Sequence, residues 1–203
     1  MSLRKLSILI LLSLVCGVAG AVERVERGNL VLEDMPEIPA AVTERLEQYQ
    51  NTRSAGFASW LNDGGILVTT RFGDTNQVHR VSQPLGARYQ LTFFPEPVSN
   101  ASVPPDPELD GFVYGRDVGG NEFYQLFWFD FGSGESTLLT DGSSRNTGPT
   151  WSNRGDRFAY ASTRRDGRNY DIYVASPQHG HDAHRMVLEG EGLWVPMDWS
   201  PSD

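Results

Sequence analysis

From residue 57 onward the chain alternates apolar and polar positions in short runs. Each run is closed by glycine, proline, asparagine or aspartate. A period of two bounded by turn residues predicts strands. In a first unit, residues 54–98, the strands are expected at 57–60, 65–70, 77–81 and 87–92. In a second, 100–146, they fall at 101–103, 111–116, 123–129 and 135–140. In a third, 147–192, they fall at 149–151, 157–162, 171–175 and 184–188. Asp63-Gly64, Gly119-Gly120, Gly132-Ser133-Gly134, Arg154-Gly155-Asp156 and Asp166-Gly167 supply turns, where glycine permits the positive φ of a tight connection.

The units repeat. Trp60 stands four residues before Gly64 and Trp151 four before Gly155, and Leu91-Thr92 recurs as Leu139-Thr140. Gly64, Gly111 and Gly155 keep a spacing in the forties, which marks the same corner in each unit. Such a period with four strands per unit is the mark of propeller blades. One four-stranded sheet cannot bury either face alone; stacked radially, each covers its neighbour. The fold class expected is therefore all-β: an incomplete β-propeller of about three blades, with a fourth opened at 193–203. Three blades and a fragment cannot close a ring, so the sequence is expected to be the front piece of a larger protein. Trp60, Trp151 and Trp199 recur with the period and read as core residues.

Ahead of the blades the pattern differs. Arg4 and Lys5 precede an apolar run from Leu6 to Val15, and Ala19-Gly20-Ala21 is a small-x-small cleavage pattern. Residues 1–21 thus read as a signal peptide cut after Ala21, too short in its apolar part for a stable span. Val15 is too bulky to precede Cys16 in a lipoprotein signal. The segment 22–53 is an N-terminal extension. Residues 22–38 look irregular, with Pro36 and Pro39 as breakers. A short helix is expected at 43–50, with Val42, Leu46 and Tyr49 on one stripe. The simpler reading packs that stripe on the chain's own domain; the alternative is docking to a further domain.

Export changes the balance of charge and thiols. Without residues 1–21 the chain has no cysteine and hence no disulfide. The 15 remaining basic residues, all arginine, face 26 acidic ones, a net charge of −11. Such a surface repels phosphate backbones, which argues against a nucleic-acid partner. The expected location is periplasmic or secreted.

Chemistry-bearing residues are sparse. No Gly-x-Ser-x-Gly elbow occurs, and Ser133 lies in a hairpin turn with its glycines misplaced. His179, His181 and His184 with Asp182 are suitable metal ligands, yet their stretch reads as a solvated connection between third and fourth strands. Arg116 and Glu122 flank the Gly119-Gly120 turn. Arg116 is suited to a carboxylate and Glu122 to a free amino terminus; the simpler reading is a local ion pair on an exposed turn. Residues 166–171 lack the spaced acids of a calcium loop and read as a turn. No residue is assigned a catalytic, cofactor or metal role.

The third unit, Pro149-Thr150-Trp151-Ser152-Asn153-Arg154-Gly155-Asp156-Arg157-Phe158-Ala159-Tyr160, resembles the repeat of TolB-type propellers. So do Asp171-Ile172-Tyr173-Val174 and the restart Trp199-Ser200-Pro201. A signal peptide, a short helix and these blades together resemble the secreted prolyl-oligopeptidase, dipeptidyl-peptidase and acylaminoacyl-peptidase group of serine peptidases. Tyr49-Gln50-Asn51-Thr52-Arg53, Arg71-Phe72-Gly73, Gln90-Leu91-Thr92-Phe93-Phe94 and 116–122 look like its bacterial branch. The resemblance implies a substrate-gating propeller, short peptide substrates and a C-terminal α/β-hydrolase domain absent from this sequence. The other reading is a TolB-like propeller that binds proteins without catalysis.

Overall fold

The computed structural model describes residues 22–203; the signal peptide, its cleavage after Ala21 and Cys16 lie outside them. The chain opens with a hairpin where irregular backbone was expected. Strand β1 (Arg24–Arg27) pairs antiparallel with β2 (Leu30–Glu33). The two-residue loop Gly28-Asn29 makes this possible, because Gly28 takes φ +59 at the first loop position. Pro36 and Pro39 act only after the hairpin is complete.

Helix α1 (Ala40–Gln50) starts directly after Pro39, earlier than its apolar spacing suggested. None of its residues is buried. Val42, Leu46 and Tyr49 are 47%, 48% and 65% exposed, so the stripe does not pack on the chain's own domain. What holds the helix is its C-terminal end: the Arg71 guanidinium donates to the carbonyls of Gln50 (2.5 Å) and Thr52 (3.4 Å).

Three four-stranded antiparallel sheets follow, each in sequence order. The first contains β3 (Ala55–Trp60), β4 (Ile66–Thr70), β5 (Gln77–Val81) and β6 (Tyr89–Gln90). The second contains β7 (Ser99–Ser102), β8 (Gly111–Arg116), β9 (Gln125–Asp130) and β10 (Ser136–Leu138). The third contains β11 (Thr150–Trp151), β12 (Phe158–Ser162), β13 (Asp171–Ala175) and β14 (Arg185–Leu188). These are three propeller blades. Residues 193–203 form no strand, although Trp199 already packs on the third blade.

Strand alternation builds the core between blades. On β8, Phe112 and Tyr114 face the first blade and join Leu61, Leu67, Val78 and Phe129. Val113, one residue out of phase, faces the third blade and meets Leu126, Leu139, Phe158 and Tyr160. Each of the large side chains buried this way contributes roughly 1.5–3 kcal/mol. A one-residue slip of β8 would exchange both faces at once.

The recurring Leu-Thr also has a structural role. Leu139 is buried between blades, and the Thr140 hydroxyl accepts the Leu126 N–H (3.0 Å) while donating to Gln125 Oε1 (2.7 Å). In the first blade the Thr92 hydroxyl accepts the Val78 N–H (2.9 Å). The third blade replaces this clamp with a buried acid. Asp171 takes two hydrogen bonds from Arg165 (2.8 and 3.1 Å) and one from the Gly190 N–H (3.0 Å).

The corner glycines divide into two kinds. Gly64 (φ +87) and Gly155 (φ +78) occupy the turn between first and second strands. Gly111 does not: it starts β8 with ordinary backbone, and a Cβ there would strike the Trp128 ring and the Phe129 carbonyl. The second blade therefore lacks the corner that the spacing implied, and turns through residues 104–110 instead.

Candidate functional site

The meander order of each blade sorts its connections onto two rims. One rim carries the links between second and third strands and those from blade to blade. Here Arg71, Glu96, Arg116, Gly119 and Glu122 lie, and here the N-terminal extension makes contact. The Asn29 side chain, at the hairpin tip, donates to the Gly119 carbonyl (2.9 Å). Arg71 holds the helix end. This rim between the first two blades, covered by the extension, is the candidate site.

Its centre is a stacked ion pair. Arg116, at the end of β8, meets Glu96 at 3.0 Å, with side chains only 18% and 17% exposed. Its guanidinium lies over Phe94 (4.4 Å) and Phe127 (5.1 Å), on either side of the blade junction. Burial pushes the Glu96 carboxyl up, but the Gly119 N–H (3.3 Å) and Arg116 outweigh it and hold the group below its ordinary range. Glu96 is thus bound to the same glycine turn that receives Asn29. The pair joins the first-to-second blade link, the second blade and the extension.

This corrects the reading of Arg116 and Glu122. Arg116 is already neutralised by Glu96, across the blade junction, so it is no free carboxylate receptor, and the local pair with Glu122 is not the one formed. Glu122 is exposed at φ +60, its N–H donating to Asp117 Oδ2 (2.9 Å). Glu96 was missed because nothing in its local sequence signals a partner 20 residues away. The Leu-Thr recurrence was legible, but the glutamine that Thr140 meets, Gln125, was not singled out.

The histidine stretch divides. His184 is buried, against the expectation of a solvated loop, and its Nδ1 is hydrogen-bonded to the Tyr160 hydroxyl (2.9 Å). Burial, then the nearby Arg164, lowers its pKa to about 4, so the ring is neutral at pH 7. His181 faces Asp182 (3.1 Å), and His179 is exposed. Among the described residues, no three metal-ligating side chains converge. The Ser133 hydroxyl donates to Asp130 (2.9 Å) inside its turn. Asp166 accepts the N–H groups of Asn169 (2.8 Å) and Arg168 (2.9 Å), which hold its pKa at about 2 in a closed turn. Among the described residues no serine hydroxyl is hydrogen-bonded to a histidine, so no nucleophile–base pair is assembled.

Trp151 and Trp199 pack on the preceding blade as core residues, but Trp60 is 67% exposed on the outer face of the first blade. Its equivalence in sequence does not give it a preceding blade to pack on among the described residues.

No family model and no curated protein sequence matches the chain. Solved structures do. TolB from Acinetobacter baumannii is similar over 66% of this chain, with 22% identity and a TM-score of 0.51. A TolB-type protein from Agrobacterium tumefaciens is similar over 70%, with 23% identity and a TM-score of 0.50. Puromycin hydrolase is similar over 71%, with 18% identity and a TM-score of 0.54. The match spans 32% and 49% of the two TolB chains and 22% of puromycin hydrolase. Among the described residues no helix is long and apolar enough to cross a membrane. At these identities the likeness establishes the fold: the chain is a run of consecutive blades of a β-propeller, of the kind found in TolB proteins and in puromycin hydrolase.

Proposed function

We propose that this chain is the substrate-gating propeller portion of an exported serine peptidase that acts on short peptides. The catalytic α/β-hydrolase domain is then contributed by sequence outside these 203 residues. The observation that carries this reading is the N-terminal extension. It is tied to one rim through Asn29 and Arg71, yet presents an uncovered stripe of Val42, Leu46 and Tyr49. A helix with an apolar face toward water is stabilised by a partner surface. A hydrolase domain seated over that rim would cover it. The likeness of the blades to those of puromycin hydrolase supports the same reading.

In this arrangement the propeller screens substrates by size and excludes water from the reaction. Nucleophile, base and oxyanion hole all belong to the facing domain. The Arg116–Glu96 pair acts as a joint between blade and extension and does not contact substrate. A second reading, a periplasmic TolB-like propeller that binds proteins, is favoured by the two TolB likenesses.

The test compares two products. Residues 22–203 alone should neither hydrolyse a proline-containing chromogenic peptide nor react with a fluorophosphonate. The product extended through the coding sequence that follows Asp203 should do both. Turnover by the short chain would overturn the assignment. A stop codon after further blades, with no Gly-x-Ser-x-Gly encoded, would favour the binding propeller.

A further inference from the structure

We propose that Arg145, on the same rim at the junction of the second and third blades, binds the C-terminal carboxylate of the short peptide substrate. The proposal rests on the peptidase reading above and names the end of the substrate that the propeller holds.

Arg145 repeats the arrangement of Arg116 with one part missing. Both guanidinium groups lie over a phenylalanine ring, Arg116 over Phe94 (4.4 Å) and Arg145 over Phe123 (4.7 Å). Arg116 is then closed by Glu96 at 3.0 Å. Arg145 is exposed, and among the described residues its guanidinium has no carboxylate within 4.0 Å and no hydrogen-bond acceptor. Acids nearby in the sequence and on the adjoining link are engaged elsewhere. Asp141 accepts the N–H groups of Ser143 (3.0 Å) and Ser144 (2.9 Å) in its own turn, and Asp166 and Asp171 are paired with Arg165.

The side chain is open, but its base is fixed. The Arg145 N–H donates to Thr163 Oγ1 and the Arg145 carbonyl accepts the Thr163 N–H, both at 3.0 Å. Thr163 is buried in the third blade. The next residue, Asn146, is also buried and donates its side-chain amide to the Tyr124 carbonyl (2.8 Å), beside Phe123 in the second blade. A guanidinium held on a ring from a fixed backbone loses less freedom on binding than a free one. Its planar fork takes a carboxylate through two parallel hydrogen bonds. Phe123, 39% exposed, leaves ring surface beside the fork for the residue that bears the carboxylate. The excess of acidic residues and the exposed Glu122 disfavour a multiply charged anion. A receptor fixed on the rim is reached by a chain end only when few residues separate that end from the facing domain. A side-chain carboxylate would set no such limit on length.

Binding of the tripeptide Ala-Pro-Ala and of its C-terminal amide, followed by NMR of the 15N-labelled 22–203 chain, tests this. The acid should bind about ten-fold tighter than the amide, the loss expected for a charged hydrogen-bond partner. It should shift the Arg145 and Phe123 signals. Arg145→Gln, whose backbone bonds to Thr163 remain, should remove the difference, and Arg145→Lys should restore part of it. Equal binding of acid and amide, or a preference that survives Arg145→Gln, overturns the proposal. So does an amidated Ala-Asp-Ala that binds as tightly as the acid, since the carboxylate held is then a side chain's. In the product extended beyond Asp203, kcat/KM should likewise favour the acid over the amide. Turnover that ignores the difference overturns the carboxylate site and leaves the peptidase reading standing. Selective binding of the acid with no turnover by the extended product keeps Arg145 as the carboxylate site and overturns the peptidase reading instead.

Discussion

Replacing Thr140 with valine isolates the contribution of one hydroxyl to blade closure. Thr140 is 2% exposed. Its hydroxyl satisfies the Leu126 N–H at the start of β9 and donates to Gln125 Oε1. Valine keeps the shape and removes both contacts. Gln125 Oε1 retains the Gly142 N–H (2.9 Å), so only the Leu126 N–H is left buried without an acceptor. An unsatisfied buried donor costs about 1–3 kcal/mol. With an m-value of about 2 kcal/mol/M in urea, the unfolding midpoint of the 22–203 chain should fall by about 1 M. Thr140→Ser keeps the hydroxyl and loses one methyl, for a cost of about 1 kcal/mol. Urea titration followed by tryptophan fluorescence measures both. Valine must destabilise more than serine; a valine variant as stable as the native chain, or more stable than the serine variant, would refute the reasoning.

Other expectations follow from the same contacts. His184, with its pKa lowered to about 4, stays neutral in the fold while the unfolded chain takes up its proton near pH 6.5. Stability from this group is present above pH 6.5 and is lost as pH falls to 4, by about 3 kcal/mol. Urea midpoints across that window should be flatter for His184→Gln than for the native chain; parallel slopes would contradict the burial argument. Arg116→Ala leaves the partly buried Glu96 without its cation and should cost about 2 kcal/mol, after discounting for solvent, in thermal or urea unfolding. Arg116→Lys should recover only part of this, since an ammonium cannot stack between Phe94 and Phe127. Gly64→Ala, with nothing within 4 Å of the added carbon, should cost about 1 kcal/mol for its positive φ. Gly155→Ala should cost more than twice that, because its Cβ would strike the Asp106 N–H and Pro105.

The blades were legible because their sequence obeys a local rule. Alternation and turn glycines located β5, β8 and β13 to the residue, and the repeat assigned them to sheets. Sequence reasoning failed where the determining partner is distant. Glu96 and Arg116 meet only once two blades stack. His184 is polar and looped, but Tyr160 on a different strand draws it inside. Gly111 fell on the turn spacing by coincidence, while its real constraint is the Trp128 ring on the neighbouring strand. The hairpin at Arg24–Glu33 was missed for a local reason: two prolines beyond it obscured a two-residue Gly-Asn turn. The helix stripe was visible, but whether it is covered is decided by distant packing, and among the described residues it is not.

The central claim is that successive units stack face to face and are joined through their first strands. Hydrogen exchange of the tryptophan indole protons in the 15N-labelled 22–203 chain tests it most directly. The account predicts slow exchange for Trp151 and Trp199, whose N–H groups reach the preceding blade, and solvent-rate exchange for Trp60. Equal and rapid exchange of all three would show that the units do not stack.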